Sequence, residues 1–316
     1  MFKGCRVGVV VPAYNEEKQI ETVLTTMPDF VDKIYVVDDC SQDTTSQVTK
    51  HWAKRHGHRV ELIRHEARGG VGKAITSGYK AALEDGIEVV AVMAGDGQMD
   101  PKELPLILEP VADGKAAYSK GNRLTSGVAW EKTPHVRYLG NAFLSLLTKI
   151  ASGYWHVADT QSGYTAISAE ALRAINLDDL YPSYGYPNDM LVRLNVRNFR
   201  VADVHIAPRY GIGERSSMKV WKVIPTVSLL LLRGFFYRMF EKYVIRDFHP
   251  LVFFYALGFL LTTIGFVLGV VETIAKITQG NIAIATVVLV ALLGISGLQL
   301  LLFAMWFDME YNKDLR

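Results

Sequence analysis

Cysteine is nearly absent: Cys5 and Cys40 are the only two in 316 residues, and they lie far apart. That excludes a disulfide framework and a thiolate metal site, and it points to a reducing, cytosolic setting. No phosphate-binding G-x-x-x-x-G-K-[ST] loop occurs, and no G-x-G-x-x-G leaves the first apolar run, so a P-loop or dinucleotide fold is not expected. A basic stripe interleaved with aromatics is also missing. The net charge of +2 is too small to favour nucleic acid as a partner. Met1-Phe2-Lys3 followed by the short run Val7 to Val11 does not have the make-up of a signal peptide. Charge itself is scarce, at 21% of residues, and unevenly placed. Between His249 and Asp308 the only charged residues are Glu272 and Lys276.

Two long apolar runs fill that gap. Leu251 to Val271 and Ile282 to Phe307 carry no charge, and Leu, Ile, Phe and Val supply 14 of the 21 residues of the first. A hydrocarbon core of about 30 Å needs roughly 20 helical residues, so each run can cross a bilayer. Glu272 to Asn281 is read as the connector. Arg233, Arg238, Lys242 and Arg246 precede the first run, and Lys313 and Arg316 follow the second. By the positive-inside tendency both termini, and the large N-terminal part, face the cytosol. Trp306, Tyr243 and Tyr255 fit either interface anchoring or core packing. Val220 to Tyr243 reads as one or two amphipathic helices in the membrane interface, or as an ordinary helix closing the domain.

The N-terminal part alternates short β-branched runs with helical periods. Strands are expected at Val7–Val11, Lys33–Val37, Val60–Ile63 and Val89–Met93, with helices at Glu17–Met27, Thr44–His56 and Val71–Leu83. Such alternation implies an α/β fold with a mainly parallel sheet, whose ligands bind beyond the carboxyl ends of the strands. Polar turns follow strands one, two and four there: Pro12-Ala13-Tyr14-Asn15-Glu16, Asp38-Asp39-Cys40-Ser41 and Gly95-Asp96-Gly97-Gln98. One acidic turn means little, but three at one sheet edge indicate a site. Asp96 and Gln98 offer hard oxygen ligands suited to Mg²⁺ or Mn²⁺, with a substrate's phosphates completing the shell. Arg68-Gly69-Gly70-Val71-Gly72-Lys73 either presents backbone N–H groups to an anion, with Gly70 and Lys73 nearest, or is a plain start to a helix.

Together the three turns resemble family 2 glycosyltransferases of the GT-A fold. The two C-terminal runs make the polyprenyl-phosphate branch (dolichol-phosphate mannose synthase-like) the nearest resemblance. It implies a catalytic domain over residues 1–220, interfacial helices over 221–248 and a transmembrane hairpin over 249–316. It also implies a UDP- or GDP-linked sugar as donor, a polyprenyl phosphate as acceptor, a membrane partner and inversion at the sugar carbon; self-association is left open. By resemblance, Pro12, Ala13, Tyr14, Glu16, Asp38 and Asp39 hold the nucleoside. The family's Asp-x-Asp ends at Asp96, but its first position here is Ala94, so the metal ligands implied are Asp96 and Gln98. Tyr118 to Leu124 resembles the segment whose arginine, here Arg123, contacts donor phosphates. Asp159, in Ala158 to Tyr164, and Asp189 compete for an acceptor-side catalytic role, and Asp189 also suits a helix N-terminus. The loop Arg209 to Lys219 resembles one that closes over the diphosphate. Arg209, Arg215, Ser217 and Lys219 would grip donor or lipid phosphate, or anionic headgroups. Transfer to a lipid hydroxyl and a catalytically silent nucleotide-sugar-binding subunit are the alternative readings.

Overall fold

The computed structural model describes residues 1–124, 135–207, 220–280 and 283–316. It divides into two compact units, one of Met1–Phe235 with Leu315–Arg316, the other of Phe236–Asp314.

The first unit is built on seven strands: β1 (Val7–Ala13), β2 (Lys33–Asp38), β3 (Val60–Arg64), β4 (Val89–Val92), β5 (Tyr118–Asn122), β6 (Thr165–Ser168) and β7 (Val201–His205). Their order in the sheet is β3-β2-β1-β4-β6-β5-β7. The first four pair in parallel, as the alternating pattern requires, while β6 runs antiparallel to both β4 and β5. Side chains alternate faces along a strand, and β1 shows the consequence. Val7, Val9 and Val11 enter one core with α1 (Ile20–Thr25), α2 (Thr45–His56) and α4 (Leu104–Ala112). Val10 enters the other with α3 (Val71–Glu84), α6 (Ala169–Ala174) and α7 (Tyr186–Val196). Both faces are covered, which is why the strands read as near-continuous apolar runs. Helix α5 (His135–Ser152) packs on α7 outside the second core.

Helix α1 starts at Ile20 rather than at Glu17. The intervening residues are used elsewhere: the Glu17 carboxylate accepts from the Thr44 amide at 3.2 Å and its hydroxyl at 2.8 Å, pinning the start of α2.

Helix α8 (Val220–Phe240) passes from the first unit into the second and ends in a π-helical turn, Glu241–Arg246. Two helices follow, α9 (Leu251–Gln279) and α10 (Ile284–Tyr311), each with a stretch of 28 residues long and apolar enough to cross a membrane. The buried share of their most apolar windows is 22% and 11%, whereas the core helix of a water-soluble fold is mostly buried. The expected connector is corrected: Glu272 to Gln279 continues α9, because nothing breaks the helix until Gly280 closes it at φ 74°. Small residues let α9 and α10 approach closely. A Cβ on Gly297 would stand 2.6 Å from the Thr262 amide nitrogen.

Tyr243 and Tyr255 are buried, 0% and 5% exposed, so core packing and not interface anchoring describes them; Trp306 is 57% exposed. Arg238 and Lys242, expected from sequence to be cytosolic charges, are also buried. The Arg238 guanidinium donates to both oxygens of the buried Asp308, at 2.7 and 3.0 Å. Tyr243 donates its hydroxyl to Asp308 at 2.6 Å, and Lys242 donates to Asn312 at 2.8 Å. Burial, and then the neighbouring Arg238 charge, push the Lys242 amine down to about 7.

Candidate active site

The sheet brings the three polar turns together. β2 and β4 are the two neighbours of β1, so the turns leaving those two strands flank the turn leaving β1. The Asp39 amide donates to the Ala13 carbonyl at 2.9 Å, and the Gly95 amide to the Pro12 carbonyl at 3.0 Å. Asp39 and Asp96 thus stand on either side of Pro12 to Glu16, all at the carboxyl edge where parallel sheets bind ligands.

Hydrogen bonds interlock the first two turns. Asn15, in the left-handed region at φ 57°, gives its amide to Ser41 Oγ at 2.9 Å, and its side-chain oxygen accepts from the Gln42 amide at 2.9 Å. The Glu16 amide donates to Thr45 Oγ1 at 2.8 Å. Asp38 is fully buried and shapes the turn from beneath, accepting from the Ser41 amide at 2.9 Å and from the Ser46 hydroxyl. Asp39 reaches across to the glycine-rich loop. Its carboxylate accepts from the Gly69 and Gly70 amides and from His65 Nδ1, each at 2.8 Å. Burial works against its charge, but these donors win and hold the carboxyl below its ordinary range.

The anion that the Gly69 and Gly70 amides meet in the structure is therefore the Asp39 carboxylate. The Lys73 amide, in the first turn of α3, donates to the Pro182 carbonyl at 3.1 Å, and its side chain is exposed. Gly70 sits at φ 93°, and a Cβ there would stand 2.5 Å from the Pro182 oxygen. Gly70→Ala should lower stability by about 1–3 kcal/mol, the cost of a strained backbone position. Gly4→Ala, at φ 85° with nothing within 4 Å, should cost less. Thermal unfolding of the two variants separates crowding from backbone strain.

Above the loop, the Arg68 guanidinium lies 4.0 Å from the centre of the half-buried Tyr14 ring, a cation–π contact. Glu16 lies near enough to the acidic turns to feel them. Its carboxyl is pushed up to about 7, first by burial and then by the charges of Asp96 and Asp43. Asp96 is half-buried and accepts from the Gln98 amide at 3.0 Å. Among the described residues no cluster of three or more His, Cys, Asp or Glu could hold a metal unaided. The donor set of Asp96 and Gln98, with the Glu16 carboxyl in range of Asp96, nevertheless suits a hard cation that draws its other ligands from phosphates and water.

On the far side of Gln98 a cavity of about 40 Å³ is lined by Gln98, Met99, Arg123, Ser162, Gly163 and Tyr164. Its lining comes from the Asp96 turn and from the two segments expected near phosphate and acceptor. Arg123 and Asp159, 36 residues apart in sequence, form a pair. Arg123 donates through Nε at 2.7 Å, Nη2 at 3.3 Å and its backbone amide at 3.2 Å to a fully buried carboxylate. Burial raises the Asp159 carboxyl, but the Arg123 charge and hydrogen bonds leave it below its ordinary range. Lys120, which sequence reasoning passed over, is fully buried beside this pair, donates to the Ser162 carbonyl and is pushed down to about 7 by burial. His65 was missed too; the only sign was its place one residue beyond β3.

Asp189, in the first turn of α7, accepts from the Tyr181 amide and from Arg193 Nε, each at 3.0 Å. Arg209, Arg215, Ser217 and Lys219 lie outside the described residues.

Residues 8–175 match the family described as Glycosyl transferase family 2. The chain belongs to that family. This family 2 glycosyltransferase is 28% identical to a UDP-N-acetylglucosamine–dolichyl-phosphate N-acetylglucosaminyltransferase of Methanococcus voltae, over 65% of this chain and 86% of the relative. It is 31% identical to an undecaprenyl-phosphate mannosyltransferase of Micrococcus luteus, over 64% of this chain and 82% of that one. Among solved structures it is similar to a glucosyl-3-phosphoglycerate synthase from Mycobacterium tuberculosis in complex with Mn²⁺, UDP and glucosyl-3-phosphoglycerate. The TM-score is 0.54 at 21% identity, over 74% of this chain and 80% of that one. That likeness establishes the GT-A type of fold.

Proposed function

We propose that this chain transfers a sugar from a nucleoside-diphosphate sugar to the phosphate of a polyprenyl lipid, inverting the sugar carbon, at the cytosolic face of a membrane that α9 and α10 cross. One observation carries the reading. The Asp39 and Asp96 turns flank a single turn, Pro12 to Glu16, in a chain that ends in two membrane-length helices. The activities for which the Methanococcus and Micrococcus relatives are named support it.

In this reading the nucleoside lies against Asp39 and Pro12, Ala13, Tyr14 and Glu16, with Asp38 and Gly70 holding the shape of that pocket. Asp96 and Gln98 hold Mg²⁺ or Mn²⁺, which when bound supplies Lewis-acid stabilisation of the diphosphate leaving group. Arg123, oriented by Asp159, meets phosphate, as do Lys73, Arg209, Arg215, Ser217 and Lys219. An acceptor phosphate oxygen forms a bond to the anomeric carbon as the bond from that carbon to the diphosphate breaks. A phosphate monoester is largely ionised near neutral pH, so positioning and charge stabilisation outweigh base catalysis.

The arginine pairing of both acidic candidates favours a phosphate acceptor over a hydroxyl. Asp159, whose carboxyl Arg123 holds below its ordinary range, is a poor proton acceptor, and the Asp189 carboxylate is occupied by the Tyr181 amide and Arg193. Asp189→Asn should therefore keep transfer to polyprenyl phosphate within about tenfold of wild type, whereas loss of a general base costs about 10²–10⁴-fold. Steady-state rates with that acceptor decide it.

The same reading places α8 and the π-helical turn at the interface (221–248), after the catalytic part (1–220) and before the hairpin (249–316). The exposed Phe236, Phe240, Ile245 and Phe248 support this placement. Arg233 and Arg246 before the hairpin, and Lys313 and Arg316 after it, support cytosolic termini. The whole proposal is tested with detergent-purified protein, radiolabelled UDP- and GDP-sugars, a polyprenyl phosphate and Mg²⁺ or Mn²⁺. Metal-dependent label in the lipid phase with one donor is expected. No lipid label from any donor would overturn it.

A further inference from the structure

The Asp39 carboxylate, against which the proposed reading lays the nucleoside, is already occupied on most of its surface. Its side chain is 6% exposed. Oδ1 accepts from the Gly69 amide and from His65 Nδ1, each at 2.8 Å, and Oδ2 accepts from the Gly70 amide at 2.8 Å. The carboxyl is held below its ordinary range, so near neutral pH it is ionised and can only accept. The proton in the bond to His65 therefore sits on Nδ1. Each oxygen of a carboxylate offers two lone pairs. Oδ1 has both in use, and Oδ2 has one left.

These donors are held in place. The two amides are backbone groups of a loop packed so tightly that a Cβ on Gly70 would stand 2.5 Å from the Pro182 oxygen. His65 is fixed at three points. Its own amide donates to the Asp38 carbonyl at 3.0 Å, Asp39 takes Nδ1, and Ser77 Oγ on α3 lies 2.9 Å from Nε2. The chain Asp39–His65–Ser77 thus ties the turn after β2 to α3, with the His65 side chain 12% exposed.

Bases differ in what they ask of a carboxylate. Guanine presents N1–H and N2–H side by side, a pair that a carboxylate meets with one bond to each oxygen. Uracil presents a single N3–H between two carbonyl oxygens. The one open lone pair on Oδ2 suits the single donor. Guanine would bring a second N–H against Oδ1, which has nothing left to offer, and a buried donor without a partner is costly.

We propose that His65 determines the base specificity of the donor site: by filling Oδ1 it leaves Asp39 one acceptor position, which selects a uridine over a guanosine diphosphate sugar. This rests on the reading that the nucleoside lies against Asp39, and it names the base that reading leaves open. In this role His65 is a positioning residue, acting through Asp39.

Calorimetric titration of UDP and of GDP, with Mn²⁺, into the detergent-purified full chain tests it. UDP should bind about 10- to 100-fold more tightly than GDP, the penalty for one buried donor left unpaired. His65→Leu frees the second lone pair of Oδ1, so the preference should shrink severalfold. His65→Asn, whose side-chain amide nitrogen can replace Nδ1, should keep it. GDP binding as tightly as UDP to the unaltered chain sinks the proposal, as does a His65→Leu protein that weakens both nucleotides equally. Where His65→Leu does not fold, the ratio in the unaltered chain and in His65→Asn decides. Asp39→Ala keeps the two readings apart. If it leaves both affinities unchanged, the nucleoside reading falls and the base choice with it; if it abolishes binding of two equally tight nucleotides, the base choice falls alone.

Discussion

Asp96→Ala should reduce sugar transfer by on the order of 100-fold, the loss that accompanies removal of one group stabilising charge in the transition state. The expectation rests on position. Asp96 follows the strand beside β1, on the turn whose preceding glycine bonds to Pro12, and its charge reaches Glu16. On the proposed reading, Ala94 at the first position of Asp-x-Asp would leave a cation fewer protein oxygens, so each remaining one would carry more. Gln98→Ala should lose less, because a neutral amide oxygen binds a hard cation more weakly than a carboxylate does. The readout is label transferred to lipid at saturating donor over a titration of Mn²⁺. A metal-supporting Asp96 also predicts that part of the loss in Asp96→Asn is recovered at high metal concentration. Full activity in Asp96→Ala at low metal would remove Asp96 from the site.

That expectation can be written from sequence because the relevant information is local. A strand period followed by a polar turn is visible within a dozen residues, and the parallel sheet aligns such turns at one edge whatever the rest of the chain does. β1 to β4, the turns carrying Asp39 and Asp96, and the two membrane-length runs were legible for that reason. Features that depend on distant partners were not. Asp159 looks like any turn residue until β5 brings Arg123 against it. The glycine-rich loop looks like a waiting anion site until Asp39, some thirty residues away, takes its amides. β6 is antiparallel within a parallel sheet, and no period in four residues announces a direction. The hairpin connector is shorter than the charges suggest, because a charge in the sequence does not end a helix; Gly280 does. From sequence, Arg238 and Lys242 read as charges facing the cytosol, yet their partners lie some seventy residues on.

Those partners set the second large effect. Arg238→Met should destabilise the second unit by about 3–5 kcal/mol, because it strands the buried Asp308 carboxylate without its counter-ion. Asp308→Leu should cost a similar amount by stranding the guanidinium. The double variant Arg238→Met/Asp308→Leu should be more stable than either single one, since replacing a whole buried pair by apolar groups of similar volume is often close to neutral. Unfolding in detergent, read as a double-mutant cycle, gives the coupling directly. If the two losses simply add, the pair is a bystander and other contacts hold α8 to α10. If they do not, the pair clamps the last turn of α8 to the carboxyl end of α10. The clamp then holds the chain leading into the helical hairpin against the chain leaving it.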